Sequence, residues 1–219
     1  MRARTLLWLT LFAVAMAYVE AALVVHLRHL YYAENPLAIF PLQLLSHADL
    51  GIELAREAAT LIMILSVALL AERTTSRRFA AGVYVFGVWD LGYYACLKLL
   101  IDWPQTWLEW DVLFLIPWPW LGPWLAPAVI ALLFAVWGAR ALLSGISPAF
   151  TRRRILLFLL GAALGLSAFL WPGAQLLPGG EAAFKGYQPA GFPWIVYIAG
   201  LACMTLSLFM GSREQTDRQ

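Results

Sequence analysis

Glu53, Arg56, Glu57 and Thr60 fall within eight positions of a run that is otherwise apolar. In hydrocarbon each charged side chain costs roughly 2.5–3.5 kcal/mol on insertion scales, so such a cluster persists only where its charges meet partners. At roughly 100° per residue, Asp49, Glu53, Arg56, Glu57 and Thr60 share one arc of a helix, a polar stripe on an apolar body. Glu20 and Asp90 are further acids inside apolar runs, and Lys98 is a further base. Asp90, Tyr94 and Lys98 share a helical stripe. Glu20 shares a face with Ala13, Met16 and Ala17, where the alanines let a neighbouring helix approach and Met16 adapts to it.

Four acids (Glu20, Glu53, Glu57, Asp90) against two bases (Arg56, Lys98) leave an excess of two negative charges if all ionise. A low-dielectric site does not hold that excess, so either carboxyls keep protons or a cation sits among them. Three function classes follow. In a membrane-embedded enzyme or ligand-binding protein, Glu53, Glu57, Asp90 and Glu20 are the catalytic acid–base candidates, and Arg56, Lys98 and Tyr94 hold the ligand. In a cation or proton carrier the same carboxylates form a relay. In a non-catalytic subunit of a larger membrane complex, Arg56 and Lys98 pair with acids only to lock three helices together.

Histidine offers a second chemistry. His26, His29 and His47 lie within 22 positions, and Asp49 follows two residues after the last. Brought together, these four could bind zinc or copper, so a divalent metal is the candidate cofactor. On the helical wheel His26 and His29 lie about 120–180° from Glu20, so they need not face the carboxylates.

The elements that must position these residues are membrane helices. The chain is 62% hydrophobic and 13% charged, against about 25% charged for ordinary soluble domains. A net charge of +2 without a basic-aromatic patch excludes nucleic acid as a partner. The lipid bilayer is the expected environment, with a homo-oligomer or larger membrane complex as further partners. The spacing of apolar runs predicts an all-α, polytopic protein: one domain over 1–219 with six transmembrane helices at about 5–30, 48–70, 79–101, 125–143, 155–171 and 194–210. The first run imitates a secretory leader, with Arg2 and Arg4 before an apolar stretch and Ala15-Met16-Ala17 as a small-residue site, but it continues far enough to span.

Between spans one and two, residues 36–45 are apolar but short and contain Pro36 and Pro41, which predicts an irregular connection. Residues 102–124 carry six tryptophans and predict an interfacial segment. A short helix around 105–115 is expected there, or a half-helix over 111–116 dipping into the membrane. Residues 172–193 predict an irregular loop. Arg2, Arg4, Arg73, Arg77, Arg78, Arg140, Arg152, Arg153, Arg154, Arg213 and Arg218 collect on the side of the termini, and only Arg28 and Lys185 oppose them. The expected location is therefore an inner (plasma) membrane, with both termini cytoplasmic and the cluster opening outward.

Other residues predict packing or anchoring. Tyr31, Tyr32, Tyr93 and Tyr94 read as interfacial anchors, Arg152–Arg154 as a topology determinant, and Cys96 and Cys203 as small apolar residues. Gly161 and Gly165 allow close helix contact and oligomerisation. The sequence has no Walker loop, Gly-x-Ser-x-Gly, His-Glu-x-x-His or dinucleotide-binding glycines.

Overall fold

The computed structural model describes residues 2–144, 148 and 150–210. Arg213 and Arg218, counted above toward the basic side, lie outside these residues. The molecule is 74% helical and is an all-α polytopic membrane protein. Five helices have the length and apolarity to cross a bilayer: α1 (Arg2–Tyr31), α2 (His47–Ala71), α3 (Thr75–Ile101), α4 (Leu125–Ser144) and α5 (Arg152–Leu176). After a short α6 (Gly180–Lys185), α7 (Trp194–Phe209) is apolar but has only 16 residues. At 1.5 Å per residue it covers about 24 Å of the roughly 30 Å hydrocarbon layer.

The helix starts follow local chemistry. Ser46 caps α2 by accepting the Asp49 N–H at 3.1 Å, and Thr151 caps α5 by accepting that of Arg154. Asp102 ends α3 in the left-handed conformation and donates its N–H to the Lys98 carbonyl. The connection 36–45 is irregular, as expected, and its Gln43 N–H is taken up by the Tyr32 hydroxyl.

Two elements differ from expectation. Residues 110–123 form a β-hairpin, β1 (Trp110–Phe114) and β2 (Trp120–Pro123), paired antiparallel with Asp111 opposite Gly122 and Val112 opposite Leu121. Pro117 and Pro119 bar a helix here, and Trp-Asp-Val-Leu-Phe is rich in strand formers. Beyond α4, α5 runs five residues past Trp171, carrying Pro172 inside it. The segment that follows is a 3₁₀ turn (Leu177–Gly179) and α6 rather than wholly irregular.

α3 is the hub. It packs on α1, α4 and α2, while α5 packs on α7. Small residues set the approach: Ala13, Ala17, Ala80 and Ala81 are fully buried, and a methyl on Gly92 would meet the Ala17 Cβ at 2.9 Å. Gly161 and Gly165 face α7, where a methyl on Gly161 would meet the Gly200 carbonyl at 2.7 Å. That pair is consumed within the chain and is not free to join two copies.

Main-chain contacts from arginines gather one end of the bundle. Arg2 donates to the Ser144 carbonyl, Arg77 to that of Leu142, and Arg154 to those of Ser207 and Leu208. The start of α1, the α2–α3 turn, the end of α4, the start of α5 and the end of α7 therefore share a basic end. The hairpin belongs to the opposite end.

Candidate functional site

The buried face of α2 is Glu53, Glu57, Thr60, Ile64 and Ala68, a single seam at spacings of three and four. The rest of α2 is largely exposed, including Ile52, Ile62, Leu65 and Leu70. A helix surrounded by lipid must turn its polar stripe toward protein, and this one does. The main chains of α1 and α2 barely approach one another. Long side chains bridge them: Arg56 donates from Nε to Glu53 Oε2 at 2.8 Å and from Nη1 to Glu20 Oε1, and the Thr60 hydroxyl reaches Glu20 Oε2.

The hairpin packs on α5 and is tied to both α1 and α2 through side chains. Both oxygens of the Glu57 carboxylate accept the Leu115 N–H, at 2.8 and 3.0 Å. At its other end β1 carries Asp111, which accepts from Arg28 of α1 at 3.3 Å and from the Val112 N–H at 3.0 Å. Arg28 to Glu20 is about 12 Å along a helix, and Asp111 to Leu115 is about 13 Å along a strand. β1 thus reaches from the Arg28 level of α1 to the Glu57 level of α2. A strand edge at that depth needs its N–H groups satisfied by protein, and Glu57 does this for Leu115. The tip is gripped from α5: Trp118 Nε1 donates to the Leu170 carbonyl, and Gly173 leaves room for the Pro119 carbonyl.

Arg28 and Asp111 are 4% and 3% exposed, the most buried ion pair among the described residues. The Arg28 guanidinium also stacks 4.1 Å over the fully buried Trp103 ring. Burial pushes the Asp111 carboxyl up to about 6, with Arg28 and the Val112 N–H only partly offsetting it. This pair was not among the expected site residues. Arg28 read as a flanking charge, and its partner lies 83 positions away on a strand. The available signal was the face of α1: Ala17, Ala21 and Arg28 lie on one buried line.

Asp90 of α3 completes the cluster. The charges that reach it are those of Asp111 and Glu20. Its Oδ2 is buried with no hydrogen-bond partner, and so are Asp111 Oδ2, Arg28 Nη1 and the indole N–H groups of Trp89 and Trp103. Tyr94 is buried against Trp103 and Trp124, and the half-buried Tyr93 packs edge-on against it.

Of the expected ligand-binding bases, Arg56 is inside and Lys98 is not. Lys98 is exposed, pairs with Asp102 at 2.7 Å and donates to the Pro104 carbonyl. At the last turn of α3 a flexible ammonium turns outward rather than into a dry site. The histidines also stay apart. His26 and His29 are exposed, each with Nδ1 bonded to its own helix, at the Ala22 and Val25 carbonyls, and His47 is exposed at the start of α2. Asp49 is held by the Tyr31 and Ser46 hydroxyls. Among the described residues no group of three or more His, Cys, Asp or Glu side chains is arranged to hold a metal ion.

The site that emerges has five carboxyls (Glu20, Glu53, Glu57, Asp90, Asp111) and two guanidiniums (Arg28, Arg56). Comparison with protein-family models, with curated proteins and with solved structures returns no match.

Proposed function

We propose that this chain is one domain of an inner (plasma) membrane, with both termini cytoplasmic, that binds a small monovalent cation from the opposite side between α1, α2, α3 and the hairpin. The observation that carries the reading is the charge balance. Five carboxyls face two guanidiniums, each guanidinium is already ion-paired, and Asp90 and Asp111 each keep a buried oxygen without a partner. A buried acceptor left bare is costly, and a cation answers both the orphan oxygens and the excess charge.

The surroundings favour a monovalent cation, above all a primary ammonium, over a divalent metal. The metal-type donors do not converge in a group of three, while Tyr93, Tyr94 and Trp103 form a run of aromatic rings on which the Arg28 cation already stacks. The expected catalytic set divides under this reading. Glu20 and Glu53 are committed to Arg56, and Glu57 to Leu115, which leaves Asp90 as the acid free to meet a ligand. Toward the basic end the packed seams are Ala13, Ala17, Ile64, Ala68, Ala81 and Val85, joined by the Thr10–Tyr84 hydroxyl pair. No carboxylate relay continues there among the described residues, which favours binding over transport.

The test is a thermal unfolding series in detergent at constant ionic strength, with sodium, potassium or methylammonium replacing N-methylglucamine. A cation at one hundred times its Kd adds about 2.7 kcal/mol of stability. The expected result is saturable stabilisation by at least one small cation, abolished in Asp90→Asn. Identical melting in all four salts contradicts the reading.

A further inference from the structure

A furrow of about 420 Å³ runs between α2 and α3 at the basic end, remote from the carboxylates. Its floor exists because small residues face each other: a methyl built on Gly82 would sit 3.7 Å from the Ala68 Cβ, ordinary contact with space beside it. Its walls are apolar, with Leu61, Leu65 and Leu69 from α2 and Phe79 from α3. From Leu69 to Leu61 it covers about 12 Å of helix, a large part of one acyl chain. The mouth is cationic. Glu72 spends its carboxylate on Arg77, through two bonds of 2.7 Å. Arg78, which lines the furrow, bonds only the Glu72 main-chain carbonyl through Nε. Among the described residues its two Nη groups have no hydrogen-bond partner and its charge no counter-ion.

We propose that this furrow is a binding site for an anionic phospholipid, one acyl chain lying on Ala68 and Gly82 and the phosphodiester accepting from the Nη groups of Arg78. An apolar trough ending in an uncompensated guanidinium matches a ligand with a hydrocarbon tail and a phosphate at one end. The tether from Nε to Glu72 aims the planar fork at the headgroup level. Neutral lipids fit the trough but forgo the charge, and free phosphate meets the charge but forgoes the trough.

The experiment uses the purified full chain in a neutral detergent. Binding is followed by native mass spectrometry and by melting temperature, with phosphatidylglycerol and phosphatidylcholine of identical acyl chains, and with inorganic phosphate and glycerophosphoglycerol alone. The expected result is at least fivefold tighter binding of phosphatidylglycerol than phosphatidylcholine, and no shift from inorganic phosphate or glycerophosphoglycerol. Arg78→Gln should erase that preference, and the exposed neighbour Arg73→Gln should keep it. Gly82→Leu, which fills the trough and leaves Arg78 in place, should weaken both lipids. Equal loss in Arg73→Gln and Arg78→Gln would mean diffuse surface attraction and overturn the site. So would equal binding of the two lipids by the wild type, or a full shift from inorganic phosphate. If Arg78→Gln does not fold, the wild-type lipid series and Gly82→Leu still decide.

Discussion

Asp111→Asn tests whether the buried acid is retained against stability. The substitution keeps the shape and keeps an oxygen for the Arg28 and Val112 donors. The Asp111 carboxyl sits at about 6 because burial outweighs the attraction of Arg28, against about 3.9 for an unfolded aspartate. A folded value above the unfolded one means that folding favours the protonated form. The stabilising contribution is therefore complete below about pH 4 and is lost as pH rises through about 6. Two units at about 1.4 kcal/mol each give a loss on the order of 2–3 kcal/mol above pH 7. Asparagine carries no such charge. Asp111→Asn should match the wild type near pH 4 and exceed it by on the order of 2–3 kcal/mol at pH 7.5, several degrees in melting temperature for a chain of this size. The assay is thermal unfolding in detergent micelles from pH 4 to 8, with N-methylglucamine as the only cation. Adding a small cation should narrow the gap by stabilising the wild type alone. The refuting result is a variant destabilised by about 3–5 kcal/mol at pH 7.5, the cost of breaking a buried pair whose attraction dominates.

Other substitutions probe the surrounding contacts. Glu57→Leu strips both acceptors from the Leu115 N–H and should cost about 1–3 kcal/mol, with Glu57→Gln, which keeps one oxygen, clearly milder; chemical denaturation of the pair reads this. Gly173→Ala would press a methyl to 2.1 Å from the Pro119 carbonyl and should destabilise the hairpin by about 1–3 kcal/mol, whereas Gly191→Ala, with nothing within 4 Å, should be neutral in the same melts. Lys98→Gln should leave cation-dependent stabilisation unchanged, because Lys98 pairs outside the site. Replacing His26, His29 and His47 together by alanine should change neither the metal content of the purified protein nor its melting curve, since each histidine stands apart and exposed.

The spans were legible because length and apolarity decide them almost alone. The polar face of α2 was equally legible: a charge cluster on a lipid-facing helix has one direction to turn, and Glu53, Glu57 and Thr60 turn that way. Long-range pairing was not legible. The helical wheel puts Lys98 on the stripe of Asp90, but a wheel holds no information about where a helix ends. Asp102 terminates α3 and draws the ammonium outward. The tryptophans of residues 102–124 share the composition of a membrane-interface belt. In the molecule several of them also brace the fold: the indole N–H groups of Trp118, Trp120 and Trp124 each hold a main-chain carbonyl, and Trp103 is fully buried under Arg28, while Trp107 is exposed. Pro117 and Pro119 bar a helix only across the turn, and the strand-forming run before them pairs with residues 120–123 instead. The Arg28–Asp111 pair is neutral as a pair; the excess of acid is larger in the fold than in the sequence because Lys98 turns outward to Asp102.

The most direct measurement is calorimetric titration of the purified chain, in N-methylglucamine buffer, with sodium, potassium and methylammonium in turn. One saturable site per chain is expected for at least one of these ions. It is lost in Asp90→Asn, weakened in Asp111→Asn and unchanged in Lys98→Gln. Absence of saturable heat for all three ions, or a site that Asp90→Asn leaves intact, would contradict it.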